Sequence, residues 1–387
     1  VTELRFGVIG AGYMGKAYAI ALAEVATVYE LGSGTGLGIG KEMVATSGAA
    51  GAAGHAARLG FARSTGDWRA LVADPAIDVV AIATPTPFHM EMALAALAAG
   101  KHVLCEKPLA ATAGDAARMA RAAAQAAAGS GLRTMVGFNY IQTPATQLAR
   151  EMVAGGELGE IIRFSGTHTE DFLMDPEAPH SWRLEAAQVG RAGAMGDVAS
   201  HLVNLAQFLC GPIETVVADA QVVHRSRPGP AGPRRVENDD QGNMLCRFAS
   251  GVMGNLHGSR VQAGRKMGLA YEVTGTKGAV FFDQERPGEL HYYDARDRAG
   301  RRGFRRLLTE PGHGDYGRFC PGAGHGYGYN DMIVSEMAAL IRAIDTGGPL
   351  WPDFAAGFDA ACVIDAMLRS VDERRWVAVA EIREGLE

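Results

Sequence analysis

Apolar residues early in the chain fall in short, nearly unbroken runs at residues 4–9, 77–83, 103–105 and 134–138. Alanine-rich stretches separate them, at 16–25, 51–59, 91–99 and 112–128. Unbroken runs suit strands buried on both faces of a parallel sheet, and their alternation with helical stretches predicts a doubly wound α/β domain over residues 1–139. The glycine-rich residues 29–40 read as an inserted flexible loop ahead of the second strand, expected at 42–47. Beyond residue 140 the texture changes. After a helix at 147–153, residues 161–169, 215–223, 242–248, 251–259 and 270–274 are β-like, several of them alternating apolar with polar positions. Alternation leaves one face open, so residues 140–387 are expected to form an α+β domain around a large, open mixed or antiparallel sheet. Helices follow at 332–346 and 354–371.

With 387 residues, 48% hydrophobic and 21% charged, the chain can bury the cores of two domains. A net charge of −6 argues against nucleic acid as a partner, because backbone binding needs a basic surface. Residues 225–235 hold four arginines among prolines and glycines and read as a solvated loop. Cys105, Cys210, Cys246, Cys320 and Cys362 are scattered without a CxxC pair, as expected of reduced thiols in a cytoplasmic protein. The start runs straight into a strand and no long apolar span follows, so neither export nor membrane insertion is expected.

The first strand ends in Gly10-Ala11-Gly12-Tyr13-Met14-Gly15 and a helix follows. In this setting the first glycine of GxGxxG turns tightly, the second admits a pyrophosphate, and the third lets helix and sheet approach. The helix N-terminus adds amide donors and a positive dipole end. Gly10, Gly12, Tyr13 and Met14 are therefore expected at a dinucleotide, in an N-terminal Rossmann domain. Where an NAD site commonly has an acid after its second strand, Thr46 and Ser47 stand, and no arginine adjoins them for a 2′-phosphate. NAD is favoured and NADP stays open. Ligands of such sheets lie at the carboxyl ends of strands, which puts Thr84, Pro85 and His89 beside the nicotinamide half. His89 equally suits a helix-terminal histidine bonded to backbone. The strand from residue 101 stops at Glu106-Lys107-Pro108, a charged pair whose burial is costly unless compensated, and so marks the floor of a binding site.

These motifs, with Gly137-Phe138-Asn139-Tyr140, together resemble the Gfo/Idh/MocA oxidoreductases over nearly the whole chain, nearest the inositol and levoglucosan-type sugar dehydrogenase branch. The resemblance implies that Lys107 lies beside nicotinamide and substrate, with Glu106 and Pro108 shaping the cofactor wall. It also matches residues 193–201 to the family's glycine-rich D-x-x-x-H pattern. By spacing alone, Asp197 and His201 share a helix face, and such a pair is commonly a surface ion pair. With the resemblance they are expected to be catalytic, together with Lys107. The chain departs from the family at Ile141, where an arginine is frequent, at Thr46, and at Asn204, where many members have a second acid. The family's open sheet implies a homodimer or homotetramer.

Residues 170–183 combine carboxylates, aromatic rings and a guanidinium. Polyol sites use such groups to orient hydroxyls, so Asp171, Asp175, Trp182 and Arg183 are expected on the substrate side, with a solvated loop as the plain alternative. His325, in a glycine-rich segment, is expected to close the sugar pocket. No metal site is expected from His313, His325 and Asp331, whose flanking glycines would leave the ligands unordered. The resulting expectation is reversible oxidation of a ring hydroxyl of a sugar or cyclitol. A glycosidase using bound NAD transiently and a non-catalytic dinucleotide sensor remain as alternatives.

Overall fold

The computed structural model describes residues 3–31 and 37–386. The chain divides into two compact units. The first holds residues 1–110, 114–142 and 328–358, the second 111–113, 143–327 and 359–387. The division is therefore not the single cut of 1–139 and 140–387, because the chain returns to its first unit. The returning helix Tyr329–Thr346 buries Met332, Ile333, Met337, Leu340 and Ile341. It packs against the first helix, Tyr13–Val28, and just beyond that helix Tyr29 Oη donates to Ser335 Oγ at 2.8 Å.

Among the described residues, the first unit has a six-stranded parallel sheet: β1 (Glu3–Ile9), β2 (Gly38–Ala45), β3 (Arg63–Thr65), β4 (Val79–Ile82), β5 (His102–Cys105) and β6 (Thr134–Val136). Its order is β3-β2-β1-β4-β5-β6, the doubly wound arrangement of a Rossmann domain. β2 begins earlier than its apolar run because residues 38–41 pair in parallel with β1, and that pairing satisfies their amides whatever the side chains. Residues 32–36 of the expected loop lie outside the described residues. β3 is too short and too polar to show as an apolar run.

The second unit is built on a nine-stranded sheet among the described residues. Its strands are β7 (Ile161–Thr169), β8 (Ile213–Gln221), β11 (Gln241–Phe248), β12 (Met253–Ser259), β13 (Gly268–Gly275), β14 (Gly278–Asp283), β15 (Glu289–Asp294), β16 (Arg305–Leu308) and β17 (Val377–Ala378). The order is β16-β15-β14-β13-β7-β12-β11-β8-β17, antiparallel except for the β7–β12 pair. β11 alternates buried and exposed positions, as a sheet with one open face requires. The covered face carries the helix Ala199–Cys210. That helix approaches closely enough that a Cβ on Gly258 would meet the Ala199 Cβ at 2.7 Å.

The arginine-rich run is not a solvated loop. It forms the hairpin β9 (Ser226–Gly229) and β10 (Gly232–Arg235). Arg227 is only 1% exposed and donates to the Leu173 carbonyl at 2.5 Å and to the Asp175 carbonyl. The guanidinium supplies donors that the 170–183 loop lacks, which offsets the cost of its burial.

Glu336, on the returning helix, is 1% exposed, and its Oε1 has no hydrogen-bond partner. Burial, and then the charge of Glu106, holds its carboxyl well above the usual range. The folded state thus binds this proton more tightly than the unfolded chain, whose value is about 4.3. Its contribution to stability is full below that value and is lost as pH rises toward the folded one. Glu336→Gln should flatten the fall in stability as pH rises above about 4.3, read as unfolding midpoints across pH. An unchanged slope would contradict this assignment of the proton.

Candidate active site

The turn after β1 is shaped by three glycines. Gly10 has φ +104°, and a Cβ there would lie 2.5 Å from the Ala83 carbonyl oxygen. A Cβ on Gly15 would lie 2.0 Å from the Gly10 oxygen. Both positions are closed to any side chain. A Cβ on Gly12 meets nothing within 4 Å, and as N-cap of the first helix Gly12 offers no side chain to the first-turn amides. An open approach over uncapped amides is the cradle that a pyrophosphate fits. Tyr13 is 69% exposed beside it and tilts against Tyr329, with ring centroids 5.8 Å apart. Tyr329 Oη donates to Met14 Sδ at 3.3 Å. Thr46 and Ser47 directly follow β2 at its carboxyl end, and the Thr46 hydroxyl donates to the Gly48 carbonyl at 2.8 Å.

Thr84 and Pro85 follow β4, and Glu106 follows β5. Glu106 is 7% exposed. Its carboxylate accepts from Tyr18 Oη at 2.6 Å and from the Lys107 amide at 3.2 Å. Burial and this carboxylate raise the Tyr18 phenol well above its ordinary value, so it stays a donor. Lys107 itself is half-buried. His89 is 1% exposed, with Nδ1 at 3.0 Å from the Pro108 carbonyl and Nε2 at 2.9 Å from the Thr84 carbonyl. Both ring nitrogens lie within hydrogen-bond distance of protein carbonyls, and the neutral ring that burial favours donates its one N–H to one of them, so the ring faces the protein rather than a nicotinamide.

In the second unit the expected single helix through Asp197 and His201 is broken at Val198 into Ala194–Asp197 and Ala199–Cys210. Asp197 Oδ2 accepts from Arg183 Nε at 3.2 Å, and that guanidinium stacks 4.4 Å above the Trp182 ring. Trp182, Arg183 and Asp197 are thus brought together. His201 is 6% exposed and lies beside a histidine that spacing did not single out. His168, at the end of β7, has its ring centroid 5.7 Å from that of His201 and its Nε2 at 3.3 Å from Glu170 Oε1. A residue inside an ordinary β run carries no sequence signal of this neighbour. Asn204 is fully buried, with neither amide atom hydrogen-bonded to the protein.

Two expected substrate residues are engaged elsewhere. Asp171 pairs with Lys266 at 2.7 Å and accepts from the Gly264 amide at 3.2 Å. These bonds, Lys266 first, hold its carboxyl below the usual range. It clasps its loop. Asp175 is exposed and accepts from the Glu177 amide at 2.9 Å. His325 is exposed in its segment, where the Tyr316 hydroxyl donates to its carbonyl at 2.9 Å. Among the described residues, no group of His, Cys, Asp and Glu could hold a metal ion.

Comparison with known proteins agrees with this geometry. Residues 4–163 match the model of the oxidoreductase family with an NAD-binding Rossmann fold, and residues 146–281 match the GFO/IDH/MocA C-terminal domain. The chain is 37% identical to the levoglucosan dehydrogenase of Pseudarthrobacter phenanthrenivorans, over 98% of this chain and 99% of that protein. It is 28% identical to the inositol 2-dehydrogenase of Rhizobium meliloti, over 97% and 99%. A solved levoglucosan dehydrogenase in complex with NADH and L-sorbose superimposes with a TM-score of 0.93 at 36% identity, covering 98% of this chain and 99% of that one. The uncapped glycine turn, the compensated Glu106 and these matches over its full length place the chain in the Gfo/Idh/MocA family of NAD-dependent oxidoreductases.

Proposed function

We propose that this enzyme oxidises one ring hydroxyl of a sugar or cyclitol to a ketone with NAD as acceptor, and that anhydro sugars of the levoglucosan type are its nearest substrate class. The observation that carries this reading is the contact series Trp182, Arg183 and Asp197. It offers an aromatic face, a guanidinium and a carboxylate to a polyhydroxylated ring. The identity to the levoglucosan dehydrogenase adds support.

When bound, NAD supplies the hydride acceptor. His201 takes the proton of the reacting hydroxyl, imidazole being the side chain best suited to that exchange near neutral pH. Asp197 orients it and favours its charged form. Lys107 donates to the reacting oxygen and stabilises the negative charge that develops as hydride leaves the carbon. Hydroxyl proton and hydride then leave separately, and the carbonyl remains.

His201→Ala should lower kcat by about 10²–10⁴-fold while NADH binding, followed by fluorescence, is retained. Full turnover by that variant would overturn the role. Assaying levoglucosan, inositols and glucose isomers with NAD and NADP in parallel checks the reading as a whole. NADH formed from an anhydro sugar is the expected result, whereas sugar cleavage without net NADH would point to a glycosidase, and tight cofactor binding without turnover to a sensor.

The open face of the second unit's sheet presents Leu245 at 50% and Met253 at 45% exposure on neighbouring strands. This apolar face supports a homodimer or homotetramer formed through that sheet. Leu245→Asp together with Met253→Asp should shift the mass measured by light scattering to that of the monomer. An unchanged oligomer, or a wild-type monomer, would count against it. No described helix is long and apolar enough to cross a membrane, and the free, mostly buried cysteines favour a reducing compartment such as the cytoplasm.

A further inference from the structure

We propose that Asp239 is the positioning residue of the catalytic pair: it fixes Asp197, and through it His201, by capping the one-turn helix that carries Asp197, while Asn238 anchors the arginine paired with Asp197. This rests on the roles given above to Asp197 and His201.

A helix of a single turn cannot hold itself, because nucleation fixes several residues for one hydrogen bond. Ala194–Asp197 is such a helix, and its N-cap is Gly193, which has no side chain to give. The missing acceptors come from Asp239, distant in sequence. Its Oδ2 accepts from the Gly193 amide at 2.8 Å and its Oδ1 from the Met195 amide at 2.9 Å. Its own carbonyl accepts from the Ala194 amide at 2.9 Å. Three consecutive amides thus end on one residue. The fit needs glycine, since a Cβ on Gly193 would sit 2.2 Å from the Asp239 carbonyl oxygen. The Asp197 amide then closes the turn on the Gly193 carbonyl at 2.9 Å.

The residues on either side complete the frame. Asn238 Nδ2 donates to the carbonyl of Arg183 at 2.7 Å, the residue whose guanidinium meets Asp197. Asn238 Oδ1 accepts from Arg260 at 2.9 Å, and Arg260 also donates to Asp240 at 3.0 Å. All three residues of the triplet are at most 5% exposed. Burial pushes the Asp239 carboxyl up to about 6, against the pull of the Met195 amide, Arg260 and the Gly193 amide. Keeping this group ionised near neutral pH costs stability, so its return is geometric. Both of its oxygens are needed, and an asparagine offers one acceptor where the aspartate offers two.

The test compares Asp239→Asn, Asp197→Asn and the double variant, using levoglucosan and NAD as probes together with NADH binding by fluorescence and thermal unfolding. Asp239→Asn should lower kcat about tenfold or more, with NADH affinity and the KM for sugar nearly unchanged, since small displacements of a catalytic group are costly. The double variant should be no slower than Asp197→Asn alone, because Asp239 acts through Asp197. A folded Asp239→Asn with normal kcat, or losses that multiply in the double variant, would overturn the proposal. If Asp239→Asn does not fold, Asn238→Ala supplies the reading: a severalfold fall in kcat/KM with NADH affinity retained supports the frame, and an unchanged kcat/KM overturns it. Full turnover by Asp197→Asn would remove the underlying assignment along with this inference, whereas an inactive Asp197→Asn beside a normal Asp239→Asn would remove this inference alone.

Discussion

A carboxylate taken out of water must be given donors, and the functional parts of this protein are arranged around that requirement. Glu106 ends a buried strand and survives there because Tyr18 and the Lys107 amide donate to it. Asp239 is buried against three successive amide-bearing residues and converts its desolvation into a fixed turn. Asp240 and Arg260 pair almost without exposure. Glu336 shows the other solution: with one oxygen unpartnered, it is pushed toward its neutral form. In each case burial is met either by donors or by a held proton.

The same trade appears without charge at the dinucleotide turn. Gly10 and Gly15 give up side chains because backbone occupies the space, whereas Gly12 gives one up where nothing does. The first two positions build the turn and the third leaves it open. His89 belongs to the building side: it looked like a cofactor ligand by its place after a strand, but its ring is held between the carbonyls of Thr84 and Pro108, at that strand's end and the next.

Much of this was legible in the chain itself. The strand-glycine-helix order, the apolar runs of β1, β4, β5 and β6, and the Glu106-Lys107-Pro108 stop are local patterns, and each falls where periodicity placed it. The alternation in β11 announced an open sheet. The hairpin at residues 226–235 was hidden because Arg227 is buried by carbonyls contributed from a distant loop, and a charged composition cannot reveal such partners. Asp171 read as a sugar ligand on composition, yet its partner, Lys266, lies far along the chain.

Sequence by itself determined the fold class and the cofactor turn, because these depend on side-chain type and short-range spacing. Tertiary structure decided which polar groups are already satisfied. It spent Asp171 and His89 on the protein, joined Trp182 and Arg183 to Asp197, set His168 beside His201, and recruited Asp239 to hold a helix that could not hold itself. Hydrogen-bond partners far apart in sequence have no fixed spacing, so only the folded chain could assign them.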